Sequence, residues 1–321
     1  MVTKANFGHT IIQIQMDTVY IIGRGAIGKA LAVFLKLNNR KVILLRGSVD
    51  DGSHGVEDLQ VTLNDGTVVT APVDVCTLKT IDELRGVVVL TNKSFGNHDL
   101  ATSLKKKIGG SPIVLLQNGL GVERPFVEND FPAVYRCVLF VTSQSLGETS
   151  VRFKPVSACP IGVVKGNEAE LDKITTALTT QYVQFKPENN IDVVVWRKAI
   201  INCAFNSICP LLEIDNGIFH RSPEVLALAG TVIDECLAVA TKKGIALRSN
   251  EVLENLLLIS KSSDGQLIST LQDIRKGLPT EIDTLNFEIA RIARSLGMED
   301  QVQQTKLLGE LTKLKSTASR F

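Results

Sequence analysis

A glycine-rich hexapeptide between an apolar run and an amphipathic stretch constrains the fold of this chain most. Gly23-Arg24-Gly25-Ala26-Ile27-Gly28 follows the β-branched run Thr18 to Ile22 and leads into a helical pattern from Ala26 to Leu37. Glycines at this spacing let the backbone approach a pyrophosphate, and a helix start supplies free N–H groups and partial positive charge. The hexapeptide alone could be a merely tight turn, but its position between a strand and a helix predicts that all six residues bind a dinucleotide.

The end of the second predicted strand indicates which dinucleotide is bound. The strand from Lys41 to Leu45 is followed by Arg46, eighteen residues after Gly28, where NAD enzymes usually carry Asp or Glu. A guanidinium suits the 2′-phosphate of NADP through bidentate hydrogen bonds. Arg46 therefore predicts NADP (NADPH) as the cofactor, and a solvated surface arginine is the alternative.

The first half of the chain alternates β-branched runs with amphipathic stretches, which predicts an α/β fold with a parallel sheet. Asn64-Asp65-Gly66 between two short runs predicts an inserted hairpin. The further strands predicted are Val87 to Thr91, Ile113 to Gln117, Tyr135 to Val141, Val151 to Phe153 and Ile161 to Val164, and an antiparallel arrangement is open for the last three.

After the polar segment Lys186-Pro187-Glu188-Asn189-Asn190, helical periodicity replaces the strand signals. We therefore predict three parts: an N-terminal extension (1–16), a Rossmann-type NADP-binding domain (17–189) and an all-helical C-terminal domain (190–321). The predicted helices of the second domain are Ile191 to Cys209, Pro223 to Lys243, Asn250 to Ser260, Thr280 to Leu296 and Val302 to Leu314.

Charge and composition argue against several classes of partner. Thirty-five basic and 34 acidic residues leave a formal charge of +1, so we expect neither nucleic acid nor a membrane surface as a partner. The six cysteines lie in apolar segments without CxxC pairing, which favours buried thiols over a metal site. The first 16 residues have no secretory or transit pattern, so a cytoplasmic location is expected.

A polar stripe opens the predicted helical domain. Lys198, Asn202 and Asn206 are spaced at i, i+4 and i+8, so they share one helix face amid apolar neighbours. One amine and two amides are costly to bury without partners. The stripe therefore predicts the wall of a ligand site.

Trp196, Lys198, Asn202 and Asn206 resemble the start of the helical domain of the ketopantoate reductase family, which reads W-x-K-x-x-x-N-x-x-x-N. Further segments match family motifs in the family's order over roughly residues 19–297. Ser269 to Asp273 resembles the S-x-L-Q-D motif and Thr280 to Asp283 the T-E-I-D motif. In the first half, Lys93 matches the family's lysine and Leu116 to Gly119 contains its Q-N-G motif.

The resemblance implies reduction of a 2-oxo acid by NADPH, most specifically of 2-dehydropantoate to pantoate in coenzyme A biosynthesis. It implies that Lys198 is the general acid and that Glu281 holds the substrate hydroxyl and tunes this lysine. It further implies the substrate-binding residues Asn118, Asn202, Asn206, Asn216 and Ser269, with Lys93 and Asn118 also on the cofactor side. A small-molecule substrate and a possible homodimer follow from the same analogy.

Several alternatives stay open. Lys198 and Glu281 could form an interdomain ion pair, Ser269 could be a helix cap, and Asn216-Gly217 could be a stop signal. Three positions depart from the family pattern. Arg24 lies close to the pyrophosphate and could add charge to its binding or obstruct the cofactor, whereas Ser94-Phe95-Gly96 and Phe287 leave the identity of the acid open. The other candidate functions are reduction of a different 2-oxo acid or an imine, and a catalytically silent NADPH-binding regulator.

Overall fold

A single mixed sheet organises the first half of the chain. The computed structural model describes residues 18–47 and 49–318, so the predicted extension 1–16 lies outside the described residues. Within these residues the sheet has eleven strands in the order β11-β10-β7-β6-β5-β1-β2-β4-β3-β9-β8. In chain order the strands are β1 (Thr18–Ile22), β2 (Lys41–Leu45), β3 (His54–Thr62), β4 (Val68–Cys76), β5 (Val87–Leu90), β6 (Ile113–Leu115), β7 (Val134–Cys137), β8 (Val141–Ser145), β9 (Ser150–Pro155), β10 (Cys159–Lys165) and β11 (Phe185–Pro187).

The centre of the sheet is parallel, as the alternating pattern predicts. Strands β7, β6, β5, β1, β2 and β4 pair in parallel, whereas β3 with β4, β8 with β9 and β7 with β10 pair in antiparallel fashion. The predicted hairpin at Asn64-Asp65-Gly66 is β3–β4, and each of its strands is longer than the sequence indicates. Because parallel strands share one carboxyl edge, the residues that follow β1, β2, β5 and β6 are brought together there.

Helices cover the sheet and then form the second half of the molecule. They are α1 (Ala26–Leu37), α2 (Asn97–Lys105), α3 (Arg124–Glu128), α4 (Leu171–Leu178), α5 (Ile191–Leu212), α6 (Ile218–Arg221), α7 (Pro223–Lys242), α8 (Ser249–Ser262), α9 (Ser269–Arg275), α10 (Asn286–Ser295) and α11 (Gln303–Ala318). The division predicted between residues 189 and 190 falls in the short connection between β11 and α5.

The prediction of one helix from Thr280 to Leu296 is wrong. Ile282–Thr284 forms a 3₁₀ turn, Leu285 leaves the helical region at φ −113° and ψ −102°, and α10 begins only at Asn286. The carbonyl of Thr284 accepts a hydrogen bond from the Leu120 N–H at 2.8 Å. A continuous helix would use this carbonyl for the N–H four residues later, so the tertiary contact replaces a helical one.

The apolar core is divided between the two halves. Two buried clusters cover the sheet, and a third fills the helical half from Ile191 to Val302. Leu120 and Val138, which follow β6 and β7, are buried in the helical cluster. The carboxyl edge of the sheet is therefore packed directly against the helical half.

Two glycines of the hexapeptide are required by close packing at the start of α1. Gly23 has φ +119°, and a Cβ there would lie 2.8 Å from the Thr91 carbonyl carbon. A Cβ on Gly28 would overlap the Gly23 carbonyl oxygen and lie 2.7 Å from Thr91 Oγ1. In contrast, no atom lies within 4 Å of a Cβ built on Gly25. Packing thus explains Gly23 and Gly28 but not Gly25.

We expect Gly28→Ala to lower the melting temperature by several degrees, because a forced methyl group in a packed site costs about 1–3 kcal/mol. Gly25→Ala is the matched control and should melt close to the wild type, since its methyl group meets open space. Thermal unfolding of both variants by circular dichroism makes the measurement. Equal losses in the two variants would contradict the assignment of different roles to these glycines.

Candidate active site

The turn between β1 and α1 has the properties of a phosphate-binding site. Gly25 is the N-cap residue of α1 and its position receives no side-chain capping hydrogen bond. The first N–H groups of the helix are therefore available, and the open space at Gly25 lets a ligand reach them. These features fit the pyrophosphate of a dinucleotide held by residues 23–28.

Arg24 of this turn and Arg46 after β2 both pair with one glutamate. Arg24 Nε donates to Glu57 Oε2 at 2.9 Å, and Arg46 Nη2 lies 3.3 Å from Glu57 Oε1. Arg46 Nη1 also donates to Ser53 Oγ at 3.1 Å. Arg24, which departs from the family pattern, therefore points to the side of the turn where Arg46 lies. Sequence reasoning did not select Glu57, because nothing in a polar hairpin strand marks one acidic residue over another.

Lys93 bridges the two halves of the molecule. It follows β5, and its Nζ lies 3.1 Å from Asp273 Oδ2 and 3.2 Å from Glu281 Oε2. Burial opposes its charge, but Glu281 and Asp273 outweigh burial, so the pKa of Lys93 is raised. The pKa of Asp273 is raised too, because its own burial outweighs the attraction of Lys93. Lys93 and Glu281 are thus brought together where the carboxyl edge of the sheet meets the helical half, a region called the cleft below.

Lys198 lies on α5 opposite the end of β7. Its side chain is partly buried, and its Nζ donates to the Leu139 carbonyl at 2.7 Å. Burial lowers its pKa below the ordinary 10.5, and Arg136 lowers it further, while Cys137, Cys159 and Glu281 act in the opposite direction. Glu281 therefore raises the pKa of Lys198 through its charge alone, because its carboxylate forms an ion pair with Lys93 and not with Lys198. An amine with a lowered pKa can give and accept a proton nearer to neutral pH.

A small cavity joins the general-acid candidate to the sheet edge. Lys198 and Asn118 both line it, together with Arg136 and the backbone of Gly119. Asn118 follows β6, at the same carboxyl edge as the glycine turn. The structure therefore brings Asn118 and Lys198 into one site beside the position that the sequence assigns to the cofactor.

Arg136 is a buried residue of this site that sequence reasoning missed. Only 3% of the residue is exposed, and its guanidinium donates to the Gln117 carbonyl at 3.2 Å and the Gly119 carbonyl at 2.8 Å. Its Nε has no hydrogen-bond partner, and the nearest carboxylate oxygen, of Glu123, is 3.6 Å away. An arginine inside the predicted apolar strand Tyr135 to Val141 was the available signal, because arginine is rarely buried unless it is paired.

The asparagines of α5 are only partly directed to the cleft. Asn206 is buried, accepts from Thr270 Oγ1 at 2.6 Å and donates to the Asn202 carbonyl at 3.1 Å, so its amide joins α5 to α9. Asn202 is partly exposed on the same face, one turn nearer to Lys198. Both lie on the predicted face, but Asn206 has structural partners of its own.

Ser269 and Asn216 lie at the ends of helices. Ser269 is exposed and begins α9, where the N-cap position belongs to Ile268 rather than to the serine. Asn216 is buried against α8, since its carbonyl accepts from Ser260 Oγ at 2.7 Å, and its own Oδ1 has no partner. The end of α5 is made by Glu213 in the left-handed region (φ 55°), so Asn216-Gly217 is not the stop signal.

The remaining departures from the family pattern are accommodated in different ways. The ring of Phe287 packs toward α11, where Lys313 Nζ lies 5.2 Å from its centroid, and a Cβ on Gly309 would contact the ring. Phe287 therefore repacks α10 against α11. Ser94–Gly96 forms a 3₁₀ turn in which Ser94 is buried and Phe95 is 67% exposed.

The described part of the chain has no group of three or more His, Cys, Asp or Glu residues able to hold a metal ion. Across residues 18–47 and 49–318, no helix is long and apolar enough to cross a membrane. All six cysteines are buried and free, as the sequence predicts.

Comparison with known proteins matches both halves of the chain to one protein family. The family model described as ketopantoate reductase PanE/ApbA matches residues 19–166, and the model of its C-terminal domain matches residues 190–315. Similar curated proteins include the 2-dehydropantoate 2-reductase of Pyrococcus abyssi, 25% identical over 292 residues with 88% of this chain and 92% of the relative covered. That of Halobacterium salinarum is 25% identical over 301 residues, with 92% and 98% covered.

Solved structures share the fold at lower identity. A PanE/ApbA family ketopantoate reductase from Ralstonia eutropha JMP134 aligns with TM-score 0.82 and 22% identity, covering 95% of this chain and all of the other. D-mandelate dehydrogenase, solved with NADH and anilino(oxo)acetate, aligns with TM-score 0.81 and 21% identity over the same shares. From the two family matches and the fold, the chain belongs to the ketopantoate reductase family of oxidoreductases.

Proposed function

We propose that this chain reduces a 2-oxo acid to a 2-hydroxy acid with NADPH, and that the acid is 2-dehydropantoate, which gives pantoate. The observation that carries the proposal is the shared cavity of Lys198 and Asn118 at the carboxyl edge of the sheet. The pKa of the Lys198 amine is lowered by burial. In this cavity the amine lies beside the residues that follow β6, at the edge where we propose that the cofactor binds. The names of the similar curated proteins support the choice of acid.

The residues of the glycine turn would hold the cofactor. Gly23, Gly25 and the first N–H groups of α1 fit its pyrophosphate, and Arg24 and Arg46 fit a 2′-phosphate. When bound, NADPH supplies the hydride for the ketone carbon. Asn118 and Lys93 belong to the edge on which the nicotinamide end of such a ligand would lie.

The helical half would supply binding and proton transfer. The ammonium of Lys198 donates a proton to the substrate oxygen, and its lowered pKa makes that transfer easier near neutral pH. Glu281 accepts from the substrate hydroxyl, while Lys93 holds this carboxylate at the cleft. Asn202, Asn206 and Ser269 bind the polar ends of the acid, and Asn216 contributes from the α8 side.

A reductase of a different 2-oxo acid is the second candidate, and Arg136 favours it. Its guanidinium lines the cavity next to Lys198, and its Nε makes no hydrogen bond and lies 3.6 Å from Glu123 Oε2. Two cationic side chains at this edge of the sheet suit an acid that carries an additional negative group. We also propose that the chain forms a homodimer and is located in the cytoplasm. A ketopantoate reductase from Staphylococcus aureus with the same fold is described as dimeric.

The substrate is tested by following NADPH absorbance with a panel of 2-oxo acids. We expect 2-dehydropantoate to give the highest kcat/KM, with pantoate as the product by mass spectrometry. The panel also contains branched-chain, aromatic and dicarboxylic 2-oxo acids. Turnover of only another acid would select the second candidate, and NADPH binding without any oxidation would reject both.

Replacement of Lys198 tests the general acid. We expect Lys198→Met to lower kcat by roughly 10² to 10⁴ while NADPH binding and the melting temperature stay close to wild type, because methionine keeps the length but loses the proton. Full activity in this variant would remove Lys198 from the mechanism.

The pKa of Lys198 also fixes the direction of the pH profile. The acid must be protonated before reduction, so kcat for reduction should fall as pH rises through the lowered pKa. The reverse oxidation needs the neutral amine and should rise over the same range. Both profiles are measured on the wild type, and parallel profiles in the two directions would contradict this role.

Arg46→Glu tests the cofactor preference. Loss of a charge-assisted contact to the 2′-phosphate costs about 1.5–3 kcal/mol, so the ratio of NADH to NADPH dissociation constants should fall by about tenfold or more. An unchanged ratio would show that Arg46 does not contact the phosphate.

A further inference from the structure

One carboxylate is shared by the two arginines beside the glycine turn. Glu57 Oε2 accepts from Arg24 Nε and also pairs with the terminal nitrogen of that guanidinium, while Oε1 pairs with Arg46. Each oxygen of Glu57 is therefore used by a different arginine. A guanidinium can bind a phosphate through the same bidentate hydrogen bonds that it makes to a carboxylate.

We propose that Glu57 is a built-in occupant of the 2′-phosphate subsite, which competes with NADPH and thereby limits the preference of this chain for NADPH over NADH. The inference rests on the proposed function, in which Arg24 and Arg46 contact the 2′-phosphate. It adds a specificity-determining residue that lies outside the glycine turn and 33 residues from Arg24.

The backbone of Glu57 cannot withdraw from this position. Glu57 lies on β3 opposite Val73 of β4, within nine consecutive antiparallel pairs. To admit a phosphate, only its side chain can rotate, and the carboxylate then remains close to the incoming dianion. Repulsion at such a distance is substantial in a partly buried site, and the Glu57 side chain is only 19% exposed.

The other charges nearby do not replace Glu57 in this role. Glu148 Oε1 lies 3.7 Å from Arg24, but its side chain is 84% exposed and contributes little through solvent. Lys29 is buried, and its ammonium donates to the backbone carbonyls of Glu148 at 2.7 Å and Gly147 at 3.3 Å. Among these groups, Glu57 is the carboxylate held directly between both arginines.

The test measures binding without turnover. Dissociation constants of NADPH, NADH, adenosine 2′,5′-bisphosphate and 5′-AMP are measured by calorimetry for the wild type and Glu57→Gln. Glutamine keeps the shape and removes the charge, so we expect NADPH and the bisphosphate to bind about tenfold more tightly. NADH and 5′-AMP should stay within about twofold, since they lack the phosphate that competes.

Two further variants make the result decisive. Glu148→Gln is the matched control and should change no ligand by more than about twofold, because its carboxylate is solvated. Glu57→Thr removes the carboxylate with a strand-favouring residue and should reproduce the gain if Glu57→Gln does not fold.

Four outcomes overturn the inference. Weaker or unchanged binding of the 2′-phosphate ligands in Glu57→Gln would mean that the carboxylate positions the arginines or does not compete. Weaker NADH binding would mean that it holds the ribose hydroxyl groups, and an equal gain in Glu148→Gln would make the effect one of overall charge. If the wild type bound none of the four ligands, the proposed function would fail together with the inference. If the wild type bound NADPH but Glu57→Gln bound it no more tightly, only the inference would fail.

Discussion

The contact between Gly119 and Thr284 is the constraint on which the cleft depends. Gly119, at φ +95°, comes so close that a Cβ would lie 2.7 Å from the Thr284 carbonyl oxygen, and Leu120 donates its N–H to that oxygen. Asn118 directly precedes this contact, and Glu281 lies three residues before Thr284. One backbone contact therefore holds a residue of the sheet edge and a carboxylate of the helical half in register. The ion pair of Arg124 with the buried Glu288 supports the same junction.

Charge is distributed so that the amine in the cavity remains apart from the carboxylates. Lys93 is held by Asp273 and Glu281, which raises its pKa, whereas Lys198 has a carbonyl partner and shares its surroundings with Arg136. The pKa values of these two lysines are thus shifted in opposite directions, because the carboxylates beside Lys93 raise its pKa whereas burial lowers the pKa of Lys198. Such divergence is typical of sites in which one group binds and another transfers a proton.

Local patterns predicted the parts of the fold that local interactions determine. The bounds of β1, β2 and α1 follow from apolar runs on either side of the glycine turn, and the fold class follows from their alternation. Contacts between distant residues were not predictable, since no periodicity encodes them: Leu120 breaks the helix expected at Thr280 to Leu296, and Glu281 pairs with Lys93, 188 residues away. In the candidate site, the family spacing led to Lys198 and Asn118, whereas Glu57 became recognisable only through its partners. The single sequence signal for Arg136 was a charged residue inside an apolar strand pattern.

The hairpin β8–β9 affects how this cofactor turn could be transplanted. Lys29, in the first turn of α1, is anchored to the tip of that hairpin, and β9 pairs in parallel with β3, the strand that carries Glu57. The glycine turn is therefore not a self-sufficient βαβ module. A graft that ended after β6 would leave Lys29 buried without its carbonyl partners and β3 with a bare edge. The smallest portable unit extends at least to Pro155, so recombination with related chains should exchange this whole block.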